Sequence, residues 1–309
     1  MVAIYPLFVS SCWTALVFAA PQPKWGDWPG QAQVAQPILN HLTTRTTTTE
    51  ASISREIRSE PASDFNKRGL AYNYSSPALE IFSNTPRISW AMDWDSATGG
   101  RALPLGVQFV PLLWDDTPLH TTAWDTNAKA AIDGAGGGPT YLMAFNEPDI
   151  PSQANMPVAK SVSSYQSLMN GYSATNVKLG SPAVSNAVSP DPNNPQGIAY
   201  LTSFLSICGD SCIVDFVNTH WYGCTNACPL SDDVGSFQAH VLGIMDAAQG
   251  RQVWITEFQS FGDQHGFLEQ VLPWLDGQTQ VARYSYFMVL DGILTSGNSL
   301  SPLGSTYIS

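Results

Sequence analysis

The stretch VQFVPLLW at residues 107–114 is apolar almost throughout, and it lies between a glycine and two aspartates. A short run without polar alternation is typical of a parallel strand that is buried on both faces. Seven more short apolar or β-rich runs occur between residues 68 and 289. They are RGLAYN (68–73), RISWAM (87–92), TYLMAF (140–145), VKLGSPAV (177–184), IVDFVNTH (213–220), QVWITEF (252–258) and ARYSYFMV (282–289).

Segments with helical spacing lie between these runs. Examples are PALEIFSN (77–84), VAKSVSSYQSLMNGYS (158–173), GIAYLTSFLSIC (197–208), SDDVGSFQAHVLGIMDAA (231–248) and GFLEQVLPWLDG (266–277). Eight strands that alternate with helices favour a closed (β/α)₈ TIM barrel over an open doubly wound sheet. No GxGxxG motif follows the first strand, and GAGGG at 134–138 precedes a strand, so neither indicates a dinucleotide site. We predict a single-domain α/β barrel over residues 69–309, with its last helix short or absent.

Two segments with different compositions precede the predicted barrel. Residues 4–20 are apolar, almost uncharged and end in small residues, which predicts a signal peptide over 1–20 and a secreted, extracellular or cell-wall-associated protein. The alternative is a membrane anchor, although the run is shorter than the roughly 20 residues that span a bilayer. Residues 21–68 are rich in Pro, Gln, Ser and Thr and end in Lys67-Arg68. They predict a propeptide or disordered arm cleaved after Arg68, or an O-glycosylated linker that stays attached.

Charge narrows the partners of the predicted domain. The 241 residues from Gly69 carry 20 Asp and Glu but only 7 Lys and Arg. Since phosphate binding needs clustered cations, this balance argues against nucleic acid and against an anionic membrane in the mature form. Neutral or cationic substrates remain open. No long apolar surface stripe is evident, so we expect a monomer.

Four cysteines in the predicted domain form two close pairs. Cys208 and Cys212 precede the predicted strand 213–220, and Cys224 and Cys228 follow it. That strand is roughly 25 Å long at about 3.3 Å per residue. A disulfide needs Cα atoms within about 7 Å, so the spacing predicts a bond within each pair. A zinc ribbon is the alternative, but a two-residue spacing and a cytosolic setting would suit it better.

Two glutamates follow or close predicted strands. Glu147 lies at the end of strand four in AFNEPD, and Glu257 at the end of strand seven in VWITEFQ. Glu80 and Glu269 lie inside helical patterns instead. A barrel of this class has its active site at the carboxyl ends of its strands, where two facing carboxylates can cleave a glycosidic bond. A single strand-end glutamate is often a helix cap or an ion-pair partner, but two at such positions favour catalysis.

Seven motifs follow one another from about residue 68 onward: RGLAYN, ISWAMDW, VQFVPLLW, FNEPD, LGSPAVSN, VDFVNTHWYG and WITEFQ. With this ordered set the sequence resembles glycoside hydrolase family 128, the fungal secreted "glycosyl hydrolase catalytic core" barrels. The resemblance implies a retaining endo-β-1,3-glucanase with Glu147 as acid/base, Glu257 as nucleophile and Asn146 beside the acid. It does not extend to the first 67 residues.

Aromatic and polar residues at or just beyond strand ends are candidates for binding the polysaccharide. Flat rings stack on the apolar faces of sugars while polar groups bind the hydroxyls. The alternative for each ring is core packing, and for the histidine a buried structural role. The candidates, besides Asn146, are Tyr72, Trp90, Trp94, Trp114, His220, Trp221 and Tyr222. Neither an HExxH motif nor a comparable cluster occurs in the sequence, so we predict no metal and no cofactor.

Two other functions fit the same features. A barrel glycosidase acting on a β-1,4-glucan or mannan would also need aromatic subsites and two glutamates. A non-catalytic glucan- or cell-wall-binding barrel is the alternative from another class. Retention of configuration predicts a carboxyl separation of about 5–5.5 Å, against roughly 6.5–9.5 Å for inversion.

Overall fold

The computed structural model of the chain describes residues 66–224 and 228–309. The predicted signal peptide at 1–20 lies outside the described residues, as does the predicted arm apart from its last three residues. Both predictions therefore stay predictions. Within the described ranges, no helix is long and apolar enough to cross a membrane.

The described residues fold as the predicted barrel of parallel strands. Its strands are β1 (Arg68–Ala71), β2 (Ile88–Met92), β3 (Gln108–Phe109), β4 (Leu112–Leu113), β5 (Thr140–Ala144), β6 (Val177–Val184), β7 (Phe216–Tyr222), β8 (Gln252–Gln259) and β9 (Val281–Tyr286). Their order in the sheet is β3-β2-β1-β9-β8-β7-β6-β5-β4. The two end members, β3 and β4, are halves of the single predicted strand at 107–114. One half pairs with β2 and the other with β5, so this interrupted strand closes the ring.

The described part of the chain contains six α-helices. They are α1 (Pro118–Gly134), α2 (Val158–Leu168), α3 (Gly197–Cys208), α4 (Leu230–Ala247), α5 (Gln264–Gly277) and α6 (Pro302–Ile308). The last is short, as predicted. The segment predicted as a helix at 77–84 forms only a 3₁₀ turn at Leu79–Phe82, and short 3₁₀ turns also occur at Asn170–Tyr172 and Gly209–Ser211. A two-stranded hairpin, β10 (Thr295–Ser296) and β11 (Ser299–Leu300), precedes α6.

Helix α1 was not among the predicted helices because its sequence is only weakly amphipathic. Trp124 and Ala128 are its buried residues, while Thr, Asn and Asp occupy much of the rest. The predicted sixth strand at 213–220 is also shifted, since β7 begins at Phe216 and extends to Tyr222. Both differences reflect tertiary contacts that outweigh local pattern.

Large aromatic side chains fill the interior of the ring. Trp254 stacks on Phe216 at 4.3 Å between ring centroids, and Trp90 lies 5.3 Å from Trp254. Gly69 has to be glycine, because an added Cβ would lie 2.2 Å from the Trp90 ring. A second, larger apolar layer lies between the sheet and the helices. The barrel interior is therefore a packed core below the carboxyl ends of the strands.

Both predicted disulfides are present. Cys208 bonds to Cys212 at the end of α3, with the Cα atoms 5.2 Å apart. Cys224 bonds to Cys228 in the loop between β7 and α4, with the Cα atoms 6.3 Å apart. Each bond closes a local loop near a strand or helix end.

Arg68, after which the sequence predicts cleavage, is built into the barrel. It is the first residue of β1 and is 4% exposed. Its guanidinium donates to the carbonyl oxygens of Tyr307 at 2.5 Å and Ser309 at 2.8 Å. It also donates to the Tyr284 hydroxyl at 2.9 Å and to Asp276 Oδ2 at 2.9 Å. Arg68 therefore joins the first strand to the last strand and to both C-terminal helices.

Lys67 binds the same end of the barrel. Its Nζ donates to the carbonyl oxygens of Leu275 at 3.2 Å, Asp276 at 2.9 Å and Gln278 at 2.8 Å. These carbonyls end α5, where a cation is favoured by the helix dipole. A chain that began at Gly69 would lack the contacts of both basic residues. Removal of the arm after Arg68 stays a prediction.

Replacing Arg68 by alanine should lower the free energy of unfolding by about 3 kcal/mol, because two buried and two partly buried acceptors lose a charged donor. Arg87→Ala is the matched control. Arg87 contacts the same Asp276 at 3.5 Å but is 48% exposed, so its loss should change stability by less than about 1 kcal/mol. Urea unfolding followed by circular dichroism measures both. Equal, small losses would show that the Arg68 contacts contribute little.

Candidate active site

Glu147 lies just beyond the end of β5, at the carboxyl rim of the barrel. Its backbone N–H donates to the Ala183 carbonyl of β6 at 2.9 Å, and its carboxyl is buried, with the residue 3% exposed. Its φ is +42°, in the left-handed region that non-glycine residues rarely occupy. Such a backbone conformation costs roughly 1–3 kcal/mol and persists only where surrounding contacts hold it. Those contacts aim the carboxyl at the centre of the rim.

Glu257 lies near the carboxyl end of β8 and is also 3% exposed. The pairing of β7 with β8 is irregular at this point. Thr219 pairs with Ile255, but the next residue, His220, pairs with Glu257, so Thr256 is an extra residue on β8. A bulge of this kind turns side chains that regular alternation would send to opposite faces. As a result, Thr256 and Glu257 both contact His220.

His220 connects the two glutamates. Its Nδ1 lies 2.8 Å from Glu147 Oε1, and its Nε2 lies 3.3 Å from Glu257 Oε1. Nε2 also lies 3.0 Å from the Thr256 hydroxyl. One oxygen of each glutamate and one His220 nitrogen all lie within 4.8 Å of one another. The two carboxyl groups therefore face each other across a short gap, which one imidazole spans.

Two aromatic residues bind the Glu257 carboxylate from its other sides. The Trp94 indole N–H donates to Glu257 Oε1 at 2.6 Å, and the Tyr222 hydroxyl donates to Oε2. Phe287 contacts both aromatic rings edge-on, with centroids 5.5 Å from each. Glu257 thus accepts from two donors while aromatic rings surround it. This arrangement fixes the direction of its oxygens.

Burial and neighbouring charges shift the pKa values of two groups in the site, Glu147 and His220. Burial raises the pKa of Glu147 above its usual range, and the hydrogen bond and charge of His220 offset only part of that rise. Burial alone would lower the pKa of His220, but the Glu257 and Glu147 carboxylates outweigh it and raise that pKa. Burial thus favours the protonated form of Glu147, and the neighbouring carboxylates favour the protonated form of His220.

Asn146 directly precedes Glu147 and is buried beside it. Its Nδ2 donates to Gln153 Oε1 at 3.2 Å, whereas its Oδ1 is buried without a partner among the described residues. A buried acceptor without a donor is unfavourable unless a ligand supplies one. The Asn146 Oδ1 is thus suited to accept a hydrogen bond from a ligand hydroxyl beside Glu147.

The structure brings most of the predicted site residues together, but not all. Glu147, Glu257, Asn146, Trp94, His220 and Tyr222 converge at the rim. Trp114 follows β4, and its carbonyl accepts from the Asn146 N–H at 2.8 Å, while its ring centroid lies 6.1 Å from that of His120. It is half-buried.

Three predicted sugar-binding aromatics lie in the core instead, which corrects the prediction for them. Trp90 is fully buried inside the ring, and its indole N–H donates to the Lys67 carbonyl at 3.1 Å, toward the opposite end of the barrel. Trp221 faces outward and stacks on Phe267 of α5 at 5.3 Å. Tyr72 is fully buried in the outer apolar layer. The physical reason is that neighbouring strand residues alternate between faces, so nearness to a strand end does not decide where a side chain points.

Sequence reasoning also missed four residues at the rim. Thr256 was missed because a bulge leaves no pattern in a single sequence. Phe287 and Phe261 follow β9 and β8, so the strand-end rule used for other aromatics would have found them. Phe261 is 45% exposed and lies 6.1 Å from the Tyr222 ring, nearly parallel to it. Asp149, two residues after Glu147, was visible in FNEPD but has no obvious role until its partners are seen.

The cluster of Glu147, His220 and Glu257 has the atom types and spacing to hold a cation. Its atoms are already engaged with one another, since both ring nitrogens of His220 lie within hydrogen-bonding distance of side-chain oxygens. What the arrangement provides is a carboxyl group with a raised pKa, on Glu147, and a second carboxyl group, on Glu257, that two donors orient on the opposite side of a short gap. This pair suits cleavage of a glycosidic C–O bond.

Comparison with known proteins agrees with this chemistry. A crystal structure described as a GH128 (subgroup III) curdlan-specific exo-β-1,3-glucanase from Blastomyces gilchristii, in complex with glucose, is 38% identical. The match covers 79% of this chain and 97% of that one, with a TM-score of 0.67. A GH128 (subgroup I) endo-β-1,3-glucanase from Amycolatopsis mediterranei, in complex with laminaritriose, is 25% identical. That match covers 79% of this chain and 98% of the other, with a TM-score of 0.62.

A curated relative, the alkali-sensitive linkage protein 1 of Schizosaccharomyces pombe, is 27% identical over 277 residues. The alignment covers 79% of this chain but 44% of that protein, so this chain spans less than half the length of its curated relative. The family described as "Glycosyl hydrolase catalytic core" matches residues 69–307. These matches confirm the family to which the sequence was compared. The chain belongs to the glycosyl hydrolase catalytic core family and has the barrel fold of the GH128 β-1,3-glucanases.

Proposed function

We propose that the protein hydrolyses β-1,3-glucan with retention of configuration, using Glu147 as acid/base and Glu257 as nucleophile. The observation that carries this proposal is the pair of buried carboxyl groups with oxygens within 4.8 Å of each other. Retaining enzymes hold their carboxyls about 5–5.5 Å apart, whereas inverting enzymes leave roughly 6.5–9.5 Å for a water molecule. The short gap supports retention.

In the first step, a Glu257 oxygen attacks the anomeric carbon of the sugar. The glycosidic C–O bond breaks, and the leaving oxygen takes the proton of Glu147. Cationic His220 donates through Nδ1 to Glu147 Oε1, which leaves Oε2 to carry that proton. The His220 Nε2 lies 3.0 Å from the Thr256 hydroxyl and 3.3 Å from Glu257 Oε1. The donors Trp94 and Tyr222 keep the nucleophile oriented before attack.

In the second step, Glu147 acts as the base. It takes a proton from a water molecule, whose oxygen attacks the anomeric carbon and releases Glu257 as a carboxylate. The same carboxyl thus serves as acid and then as base, as microscopic reversibility requires. Charge that moves from Glu257 to Glu147 during the reaction stays in contact with His220, because the imidazole contacts both groups.

The β-1,3 linkage and the choice between endo and exo action are inferred from the relatives. Both solved relatives are described as β-1,3-glucanases, one exo-acting and one endo-acting. The resemblance noted in the sequence implies endo action, whereas the relative with 38% identity is described as exo. An exo-β-1,3-glucanase is therefore the second candidate. Secretion remains part of the proposal, since the predicted signal lies outside the described residues.

Activity on linear β-1,3-glucan, β-1,4-glucan and mannan tests the substrate. We expect sugar release from β-1,3-glucan alone, with Glu147→Gln and Glu257→Gln each slower by about 10³-fold, because each removes a group that acts in the transition state. Early oligosaccharides of mixed length would indicate endo action, and glucose alone exo action. Product size is measured by chromatography in the first minutes.

Glu269→Gln is the matched control for these variants. Glu269 lies on α5 with its side chain 61% exposed, so its loss should leave turnover unchanged. Sugar release from another polymer would contradict β-1,3-glucan as the substrate but would leave the proposed mechanism in place. Binding of β-1,3-glucan without turnover on any polymer would favour the non-catalytic barrel.

The anomeric form of the first product tests the mechanism directly. Double displacement at a β-linked glucan should release the β-anomer first, with the α-anomer appearing only by later mutarotation. Proton NMR of the anomeric signals during the first minutes of hydrolysis measures this. Initial release of the α-anomer would contradict the two-step mechanism while leaving the substrate assignment intact.

The pH dependence of kcat/KM reports on Glu147. Because the acid must be protonated, activity falls as pH rises through its pKa, and burial moves that pKa upward. We therefore expect the alkaline limb well above the ordinary glutamate pKa of about 4.3. Initial rates on soluble β-1,3-glucan from acid to mildly alkaline buffers give the profile. A limb at about 4.3 would contradict the assignment.

A further inference from the structure

Asp149 connects the loop that carries Glu147 to the loop that follows β6. It is 6% exposed, although it is a carboxylate. Its Oδ2 accepts from the Ser185 hydroxyl at 2.6 Å and from the Gly197 N–H at 2.8 Å. The Ser185 N–H lies 3.2 Å from Oδ1. The donors are neutral and come from both the start and the end of the β6–α3 loop.

The Gly197 end of this loop has little freedom to adopt another arrangement. The φ of Gly197 is +53°, and an added Cβ would lie 2.4 Å from the Ala187 carbonyl oxygen. Ala187 N–H in turn donates to the Ser185 hydroxyl at 3.1 Å. The donors that meet Asp149 are therefore held in place by their own surroundings. Asp149 binds to a rigid frame rather than to a mobile loop.

The same frame supports the backbone of Glu147. Its N–H donates to Ala183, two residues before Ser185, and only Pro148 separates Glu147 from Asp149. The chain is thus attached to the end of β6 on both sides of Pro148. Between these attachments Glu147 has its left-handed φ of +42°. A conformation that is intrinsically unfavourable needs restraint on both sides.

We infer that Asp149 is a positioning residue for this enzyme, and that its hydrogen bonds to Ser185 and Gly197 hold Glu147 in the backbone conformation from which it protonates the leaving group. The inference rests on the proposed function of Glu147. It adds a residue that touches no substrate and acts through the turn Glu147-Pro148-Asp149. Small displacements of a catalytic group, of about 1 Å, reduce rates by about 10²-fold.

The negative charge of Asp149 gives its role a second measurable effect, on the pKa of Glu147. The groups that act on Glu147 from the surrounding elements are His220 of β7, Glu257 of β8 and Asp149 of its own loop. Tyr222 of β7 also faces the two glutamates. The negative charge of Asp149 contributes to the raised pKa of Glu147. Removing that charge should therefore lower the pKa of Glu147, whereas general loosening of the structure would not select this direction.

The test compares Asp149→Asn with wild type on two substrates, β-1,3-glucan and a 2,4-dinitrophenyl β-laminaribioside. The dinitrophenolate leaves without a proton, so the kcat/KM of this substrate does not depend on the acid. We expect kcat/KM on glucan to fall about 10²-fold, and that on the dinitrophenyl substrate to fall less than about tenfold. The alkaline limb of the glucan profile should move to lower pH.

Two further variants keep the test decisive. Ser185→Ala removes the shortest bond to Asp149 but keeps its charge, so glucan activity should fall selectively without the pH shift, even if Asp149→Asn folds poorly. Asp191→Asn is the matched control, because Asp191 is an exposed aspartate in the same loop. This substitution should leave kcat/KM unchanged on both substrates.

The outcomes separate this inference from the proposed function. Equal loss on both substrates in Asp149→Asn and Ser185→Ala, or unchanged glucan activity in both, would overturn the positioning role while wild-type turnover still supported the glucanase. If Glu147→Gln itself lost both substrates equally in kcat/KM, the acid assignment would fail, and the inference with it. Selective loss on glucan in Asp149→Asn, Ser185→Ala and Glu147→Gln would support the positioning role of Asp149 and the acid role of Glu147.

Discussion

Closure of the parallel sheet through residues 108–113 is the constraint on which the rest of the structure depends. A parallel sheet leaves unpaired backbone groups at each edge, and only a ring removes both edges. Here one interrupted strand supplies partners for β2 on one side and β5 on the other. Closure brings the carboxyl ends of all the strands to one rim. That rim is where residues from β5, β7 and β8 meet, although they are up to 110 positions apart in the chain.

Three titratable side chains at the rim, Glu147, His220 and Glu257, can be buried because they contact one another. A buried carboxylate without partners would be strongly unfavourable, and so would a buried imidazolium. Glu147, His220 and Glu257 offset one another, since His220 contacts both carboxyl groups. The surrounding donors of Trp94 and Tyr222 complete the set on the Glu257 side. Burial also raises the pKa of Glu147, as a group that must donate a proton in the proposed chemistry requires.

Local irregularities of the backbone, rather than regular strands, aim these groups. The extra residue Thr256 allows two consecutive residues of β8 to reach His220. The left-handed turn at Glu147 performs the equivalent task after β5, where Asp149 attaches the chain to the end of β6. Regular alternation would send adjacent side chains to opposite faces of the sheet. Departures from regular geometry are thus concentrated where function requires convergence.

The amino-acid sequence by itself determined the class of fold and predicted that Glu147 and Glu257 share one rim, where the structure brings them together. Apolar runs alternating with helical segments predict a parallel barrel, and a barrel places strand-end residues at one rim, so Glu147 and Glu257 could be named in advance. Close cysteine pairs determined both disulfides for a similar local reason. Only the tertiary structure decided which aromatics reach the glutamates: Trp94 and Tyr222 contact Glu257, whereas Trp90, Trp221 and Tyr72 pack in the core. It also decided the roles of Thr256 and Asp149. The reason is physical: periodicity encodes burial along one chain segment, whereas the direction of a side chain at a strand end depends on bulges, turns and partners contributed by distant segments.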